Sequence, residues 1–336
     1  MPKTELQAIF RIRCEEYAST LAIAPDGTLG VVGLGDGRIV GFNPSSGHLV
    51  FTEQAHAGSV LGVAFTCGGR QFVTCGQDAV AKIWNSNGTP MRELPGTGGW
   101  VEQLACSPDS KKIATASAKV ARVWSSAGEL LVDAKPLEST ITGLAWNNDG
   151  TELAACCYGG VHILPVVNPG STRHLPWKGS LISLTWSPDG KVIACGSQDR
   201  SVHFWRLASG KDSQMSGYAF KPRALAWDRD STMLATAGDA SVTIWDFKQG
   251  PEGSMPIELH GHQTLVTQLS FHPQQGLLAS GSQESSIMLW MPRKATKPIR
   301  FAFMDDEITG LQWHPESPVL FGIDSSGTIT AWEYAS

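Results

Sequence analysis

No apolar run in this chain approaches the roughly 20 residues that cross a bilayer as a helix. Residues 1–16 lack the continuous apolar core of a signal peptide and read instead as part of a strand. Cysteine is sparse in pattern as well as number: there are seven, an odd count, and no Cys-x-x-Cys pair. That removes the usual spacings of a zinc site and of a disulfide scaffold. Cys75, Cys106, Cys156 and Cys195 fall within strand patterns, as buried thiols in a reducing compartment do, so a cytoplasmic protein is expected. Concentrated positive charge is missing too. The 26 basic residues are scattered among 31 acidic ones, for a net charge of −5. The densest basic spot, Arg293-Lys294 with Lys297, sits in a short hairpin loop, so neither a nucleic-acid footprint nor a membrane partner is expected.

What the chain does have is one phrase repeated with errors. In residues 181–205, positions 181–186 alternate apolar with small or polar residues, and Ser187-Pro188-Asp189-Gly190 is a turn. Residues 192–196 are nearly continuously apolar or small, Gln198-Asp199 is a second turn, and 201–205 alternate again. Such a small antiparallel sheet cannot bury both faces alone, so it implies copies of itself. The closing tryptophan recurs as Phe42, Trp84, Trp124, Leu164, Trp205, Trp245, Trp290 and Trp332. The end of the first strand recurs as Ile23, Phe65, Cys106, Trp146, Trp186, Trp227, Phe271 and Trp313. Ten of the twelve tryptophans occupy these two positions, which rules out coincidence and makes eight units of 40–45 residues.

That period with four strands per unit indicates a propeller blade. The sequence resembles the WD-repeat family through Gly261-His262, Ser280-Gly281-Ser282, residues 287–290 and the dipeptide Trp245-Asp246. The expected architecture is a single all-β domain over 1–336, a closed eight-bladed propeller of four-stranded antiparallel blades. Residues 6–13 have no unit of their own and are expected to be the outer strand of the last blade, closing the ring. Seven blades, the commonest number in the family, is the alternative.

The resemblance also sorts the polar residues. His56, Thr74, Asp78 and Trp84 match the family's buried hydrogen-bonded chain, and His262, Ser280, Glu284 and Trp290 repeat it with glutamate for aspartate. A histidine, an aspartate and a hydroxyl imitate a catalytic triad, yet recurrence at the same spacing in another unit marks a structural role. Cys156-Cys157 with His162 make a poor metal set, because successive strand residues face opposite sides. Gly33-Leu34-Gly35-Asp36-Gly37 is no phosphate loop, since no helical pattern follows. No catalytic residue, metal or cofactor is therefore expected.

WD-repeat proteins bind partners around the mouth of the central channel. By repeat position the resemblance places Tyr17, Ser59, Trp100, Thr140, Ser180, Lys221, Leu265 and Glu307 there, with Gln77, Gln198 and Gln283 beside them. Trp100 and Trp177 are the two tryptophans the blade pattern does not require. Trp177 stands in the histidine's place and is expected to pack over its own blade, whereas Trp100, beside Gly98-Gly99, is expected to be exposed as a protein-binding hot spot. A non-enzymatic interaction scaffold, a monomer or a subunit of a larger complex, is the function expected; a small-molecule or metal-handling propeller, or a propeller enzyme, is the alternative.

Overall fold

The computed structural model describes residues 4–167, 170–248 and 250–334. They form two compact units, one of residues 19–186 and one joining 4–18 to 187–334. Apart from a short 3-10 turn at Cys67–Gly69, all regular structure among the described residues is β.

The second sheet shows how the repeat folds. Val60–Thr66, Gln71–Gly76, Val80–Asn85 and Pro90–Pro95 pair in sequence order, each antiparallel to the next. Burial is greatest in the second strand, where all residues but Gln71 are buried, and least in the fourth, where only Leu94 is. This gradient explains the sequence patterns: the middle strand packs on both faces and is uniformly apolar or small, and the outer strand meets water. Sheets stack through aromatic side chains. Phe51, on Leu49–Gln54 of the first sheet, stacks on Phe72 at 5.8 Å, and Phe72 on Trp84 at 6.0 Å.

Counted as hydrogen-bonded sheets, the described residues form seven blades, which corrects the expectation of eight. In the unit of residues 19–186, the fourth repeat does not end where its neighbours do. Its middle strands are one 14-residue strand, Glu152–Pro165, and its outer strand runs without a break into the inner strand of the fifth repeat as Arg173–Trp186. These two pair antiparallel, with Ile163 opposite Arg173, Gly160 opposite Pro176 and Tyr158 opposite Ser180. Within this unit the strands of the fourth repeat and the inner strand of the fifth therefore belong to one sheet, Gly143–Trp146, Glu152–Pro165 and Arg173–Trp186. The long strand runs straight through Tyr158. In other repeats an acid at the corresponding turn accepts backbone N–H groups, as Asp239 does from Ser241 at 2.5 Å and Asp324 from Ser326 at 3.0 Å. Tyr158 offers no such carboxylate; the third repeat turns without one at Ala118, but here Gly159 and Gly160, both at positive φ, carry the backbone on as one strand.

In the other unit, Ala8–Arg13 pairs antiparallel with Thr328–Glu333, from Ala8 opposite Trp332 to Arg13 opposite Thr328. It is the outer strand of the sheet that contains Ile308–Trp313 and Val319–Asp324. Just before it, Thr4–Glu5 adds a parallel fifth strand to the preceding sheet by pairing with Arg300–Phe303, and Leu6 is buried in the cluster with Trp313 and Trp332. Arg11 and Arg13 both reach Asp305, at 3.1 and 2.8 Å.

Candidate functional site

Two polar chains run through the sheets. In the second sheet, Trp84 Nε1 donates to Thr74 Oγ1 at 2.9 Å, and the Thr74 hydroxyl lies 2.7 Å from His56 Nε2. His56 Nδ1 lies 2.8 Å from Asp78 Oδ1, and Ala57 N–H donates to Asp78 Oδ2 at 3.1 Å. One assignment satisfies every donor: Thr74 donates to Nε2, and protonated Nδ1 donates to the carboxylate. The charges agree with it. Burial pushes the His56 pKa down against the pull of Asp78. Burial alone would raise Asp78, but the hydrogen bond and charge of His56 together with Ala57 N–H hold it below the usual carboxylate range. The pair is thus neutral imidazole beside ionised carboxylate. Gly76 makes room for it: a Cβ there would lie 2.6 Å from His56 Cγ.

The sheet built on Val266–Phe271, Leu278–Ser282 and Ser286–Trp290 repeats this chain with a relay. Trp290 Nε1 donates to Ser280 Oγ at 2.7 Å, and Ser280 Oγ lies 2.6 Å from His262 Nε2. Glu284 is 3.6 Å from His262 Nδ1, beyond a hydrogen bond. Ser286 fills the gap: its Oγ is 2.6 Å from Nδ1 and donates to Glu284 Oε1 at 2.9 Å. Glutamate reaches past the aspartate position, so a hydroxyl has to bridge. Burial drives His262 down, to about 4, despite Glu284.

A third chain was missed in the sequence because no histidine marks it. Tyr218, in the histidine's place, puts its hydroxyl 2.6 Å from Thr236 Oγ1 and accepts Trp245 Nε1–H at 2.9 Å. Its phenol does the work of imidazole Nε2, and burial raises its pKa to about 12. The available signal was a ring bearing a hydroxyl at the histidine position with a threonine 18 residues on, the spacing of His56 and Thr74.

The mouth residues sort by unit. In residues 19–186, Ser59 and Gln77 come together: Gln77 N–H donates to Ser59 O at 3.2 Å and Ser59 N–H to Gln77 Oε1 at 3.1 Å. Trp100 is 51% exposed, directly before Val101–Cys106, in a loop pinned where Ser117 Oγ donates to Gly99 O at 2.9 Å. Thr140 is exposed and Ser180 half-buried. Trp177 is half-buried and lines a shallow cavity of about 370 Å³ with the exposed Tyr158.

In the other unit, the bond made by Gln77 recurs: Gln283 N–H donates to Leu265 O at 3.0 Å and Ser325 N–H to Glu307 O at 2.9 Å. Lys221 and Leu265 line one cavity of about 440 Å³. Gln198 and Tyr17 are exposed, and Tyr17 N–H donates to Glu16 Oε1 at 2.9 Å. Arg223 in the same cavity and the exposed Phe220 escaped the repeat-position reading, which samples one residue per unit. No three His, Cys, Asp or Glu side chains gather as metal ligands among the described residues, and no described helix is long and apolar enough to cross a membrane.

Comparison with known proteins matches residues 18–255 to the family model described as the IFT122 first beta-propeller, and residues 253–291 to the WD domain, G-beta repeat. The WD repeat-containing protein WDS homolog of Arabidopsis thaliana is 26% identical over 75% of this chain and 50% of its own length. THO complex subunit 3 of the same plant is 26% identical over 52% of this chain and 56% of its own. The Target of rapamycin complex subunit wat1 of Schizosaccharomyces pombe is 26% identical over 45% and 48%. The chain thus spans about half the length of these relatives. A crystal structure of the computationally designed Ika8 protein superposes with a TM-score of 0.82, at 20% identity, over 98% of this chain and all of that one, a likeness of fold.

Proposed function

The chain belongs to the family of the IFT122 first beta-propeller, within the WD-repeat propellers, and on that premise we propose that it is a non-enzymatic scaffold holding a protein or peptide partner. The partner rests on the loops that precede the inner strands. The observation that carries this reading is Trp100: a large aromatic half exposed on a pinned loop, where burial in an interface returns free energy that its own sheet does not need. Two relatives named as complex subunits, in the THO and target of rapamycin complexes, support a protein partner. The absence of an accessible nucleophile in the triad-like set supports a non-catalytic role, since His56 and Thr74 are both buried with all their polar atoms engaged in structure. We place the protein in the cytoplasm, in keeping with its free thiols.

Affinity capture from native extract, with wild-type protein and Trp100→Ala side by side, tests the reading. The wild type should retain a discrete partner that the variant, unchanged in melting temperature, retains at least about tenfold less, the effect of one hot-spot side chain. Equal capture by both would remove Trp100 from the interface, and a turnover assay that found activity in the purified chain would overturn the non-enzymatic assignment.

A further inference from the structure

The cavity of about 440 Å³ lies in the unit of residues 4–18 and 187–334, against Ala224–Trp227 and Val266–Phe271. Its wall carries Lys221 and Arg223, together with Leu225, Leu265 and Gln268. Both cations are exposed, and neither has an ion-pair or hydrogen-bond partner among the described residues. That contrasts with Arg11, Arg13 and Arg206 of the same unit, each held by a carboxylate. No Asp or Glu is among the described residues that line the cavity, and Asp239, whose backbone carbonyl accepts Val266 N–H at 2.9 Å, has its carboxylate engaged by Ser241 N–H. Arg200 adds a third exposed cation at the preceding loop, its guanidinium 3.5 Å from Ala219 O. Next to Lys221 in the chain, Phe220 is 60% exposed, its backbone tied by a 2.6 Å hydrogen bond to Gly238 O.

We propose that this cavity binds the side-chain carboxylates of an acidic segment of a protein partner, with Lys221 and Arg223 as the cationic wall and Phe220 and Leu265 as its apolar contacts. The inference rests on the scaffold reading and names the chemistry of its partner. Unpaired positive charge in a net-negative protein attracts an acidic segment by complementarity, and the partly apolar wall gives a peptide something to bury. A carboxylate fits better than a phosphate. Pro222, between the two cations, has no N–H to contribute, so the converging backbone amides of a phosphate cradle are missing.

The test is selection from a displayed library of random decapeptides, followed by fluorescence anisotropy of the selected peptides. Selected sequences should be enriched in Asp and Glu, and their binding should weaken as sodium chloride rises. The double variant Lys221→Glu with Arg223→Glu, substituted at exposed positions and melting like the parent, should bind them about tenfold more weakly or worse. A selection with no acidic enrichment, equal binding by the double variant, binding of phosphorylated peptides only, or capture by anionic phospholipid vesicles in place of peptides would each overturn the proposal. The scaffold reading fails separately. If the double variant still retains the cellular partner and Trp100→Ala does not, the partner sits elsewhere and only the acidic-segment proposal falls.

Discussion

Trp84 and Trp100 are the same residue in opposite circumstances. Trp84 is buried against Phe72 and donates to Thr74, so Trp84→Ala leaves a cavity and removes one of the two hydrogen bonds of the Thr74 hydroxyl; a loss of about 3–5 kcal/mol is expected. Trp100 is half exposed and has neither a hydrogen-bond nor a ring partner among the described residues, so Trp100→Ala should change stability by less than about 1 kcal/mol. Thermal melts of the two variants side by side decide the matter, and a Trp100 variant as unstable as the Trp84 one would make both packing residues. The histidines give a second prediction. His56 and His262 have folded pKa values lowered by burial from 6.5, so each is neutral in the fold and takes up its proton more readily when unfolded. Their contribution to stability is complete above pH 6.5 and is lost as pH falls from there toward the lowered values, about 4 for His262. Urea unfolding across that range should show stability declining with acid. His262→Gln, though less stable, should show a shallower decline, and an unchanged slope would mean that His262 does not titrate as its burial requires.

At the scale of the element, the shared sheet depends on one glycine. Gly160 sits at φ 135°, and a Cβ there would lie 2.1 Å from Leu175 O, a backbone atom that cannot step aside. Gly160→Ala should cost more than about 1 kcal/mol in a thermal melt, whereas an unchanged melting temperature would show that the strand relaxes freely around it. The N-terminal strand poses the opposite question, whether side chains or backbone hold it. The Asp305 ion pairs to Arg11 and Arg13 are partly exposed, so Asp305→Ala should cost about 1 kcal/mol or less. Deleting residues 1–13 removes a full antiparallel partner of Thr328–Glu333 and the buried Leu6, leaving an open strand edge. Aggregation or a large fall in melting temperature is expected, and a monomeric truncation melting like the parent would make the strand dispensable.

Across the whole molecule, the cysteines provide a chemical readout of packing. Cys75, Cys156, Cys157 and Cys195 are buried and reduced, and burial raises the pKa of Cys75 and Cys157. A thiol reagent should label Cys14 and Cys67 well before these four and reach all seven only on unfolding. Rapid native labelling of the buried four would contradict the packing described. The repeat itself was legible in the sequence. Burial imposes a side-chain period on every strand, and the closing position, tryptophan in six of the eight units, repeats through the chain at intervals of 40–45 residues. The residues of the His56 chain were legible through the resemblance to the WD-repeat family, whose buried polar chain they match position by position. The number of sheets was not. Whether the fourth repeat ends before the fifth begins depends on a hydrogen bond continuing past Tyr158 and Ser180, and backbone pairing is blind to which side chains it carries. Nor could spacing reveal that Ser286 bridges His262 to Glu284, because that depends on distances set by the packed sheet. The sequence by itself determined the repeat, the all-β class and the family. Only the tertiary structure decided how many sheets those repeats make, and that Lys221 and Arg223 have no partner among the described residues, because strand pairing and charge pairing are made between residues far apart in the chain.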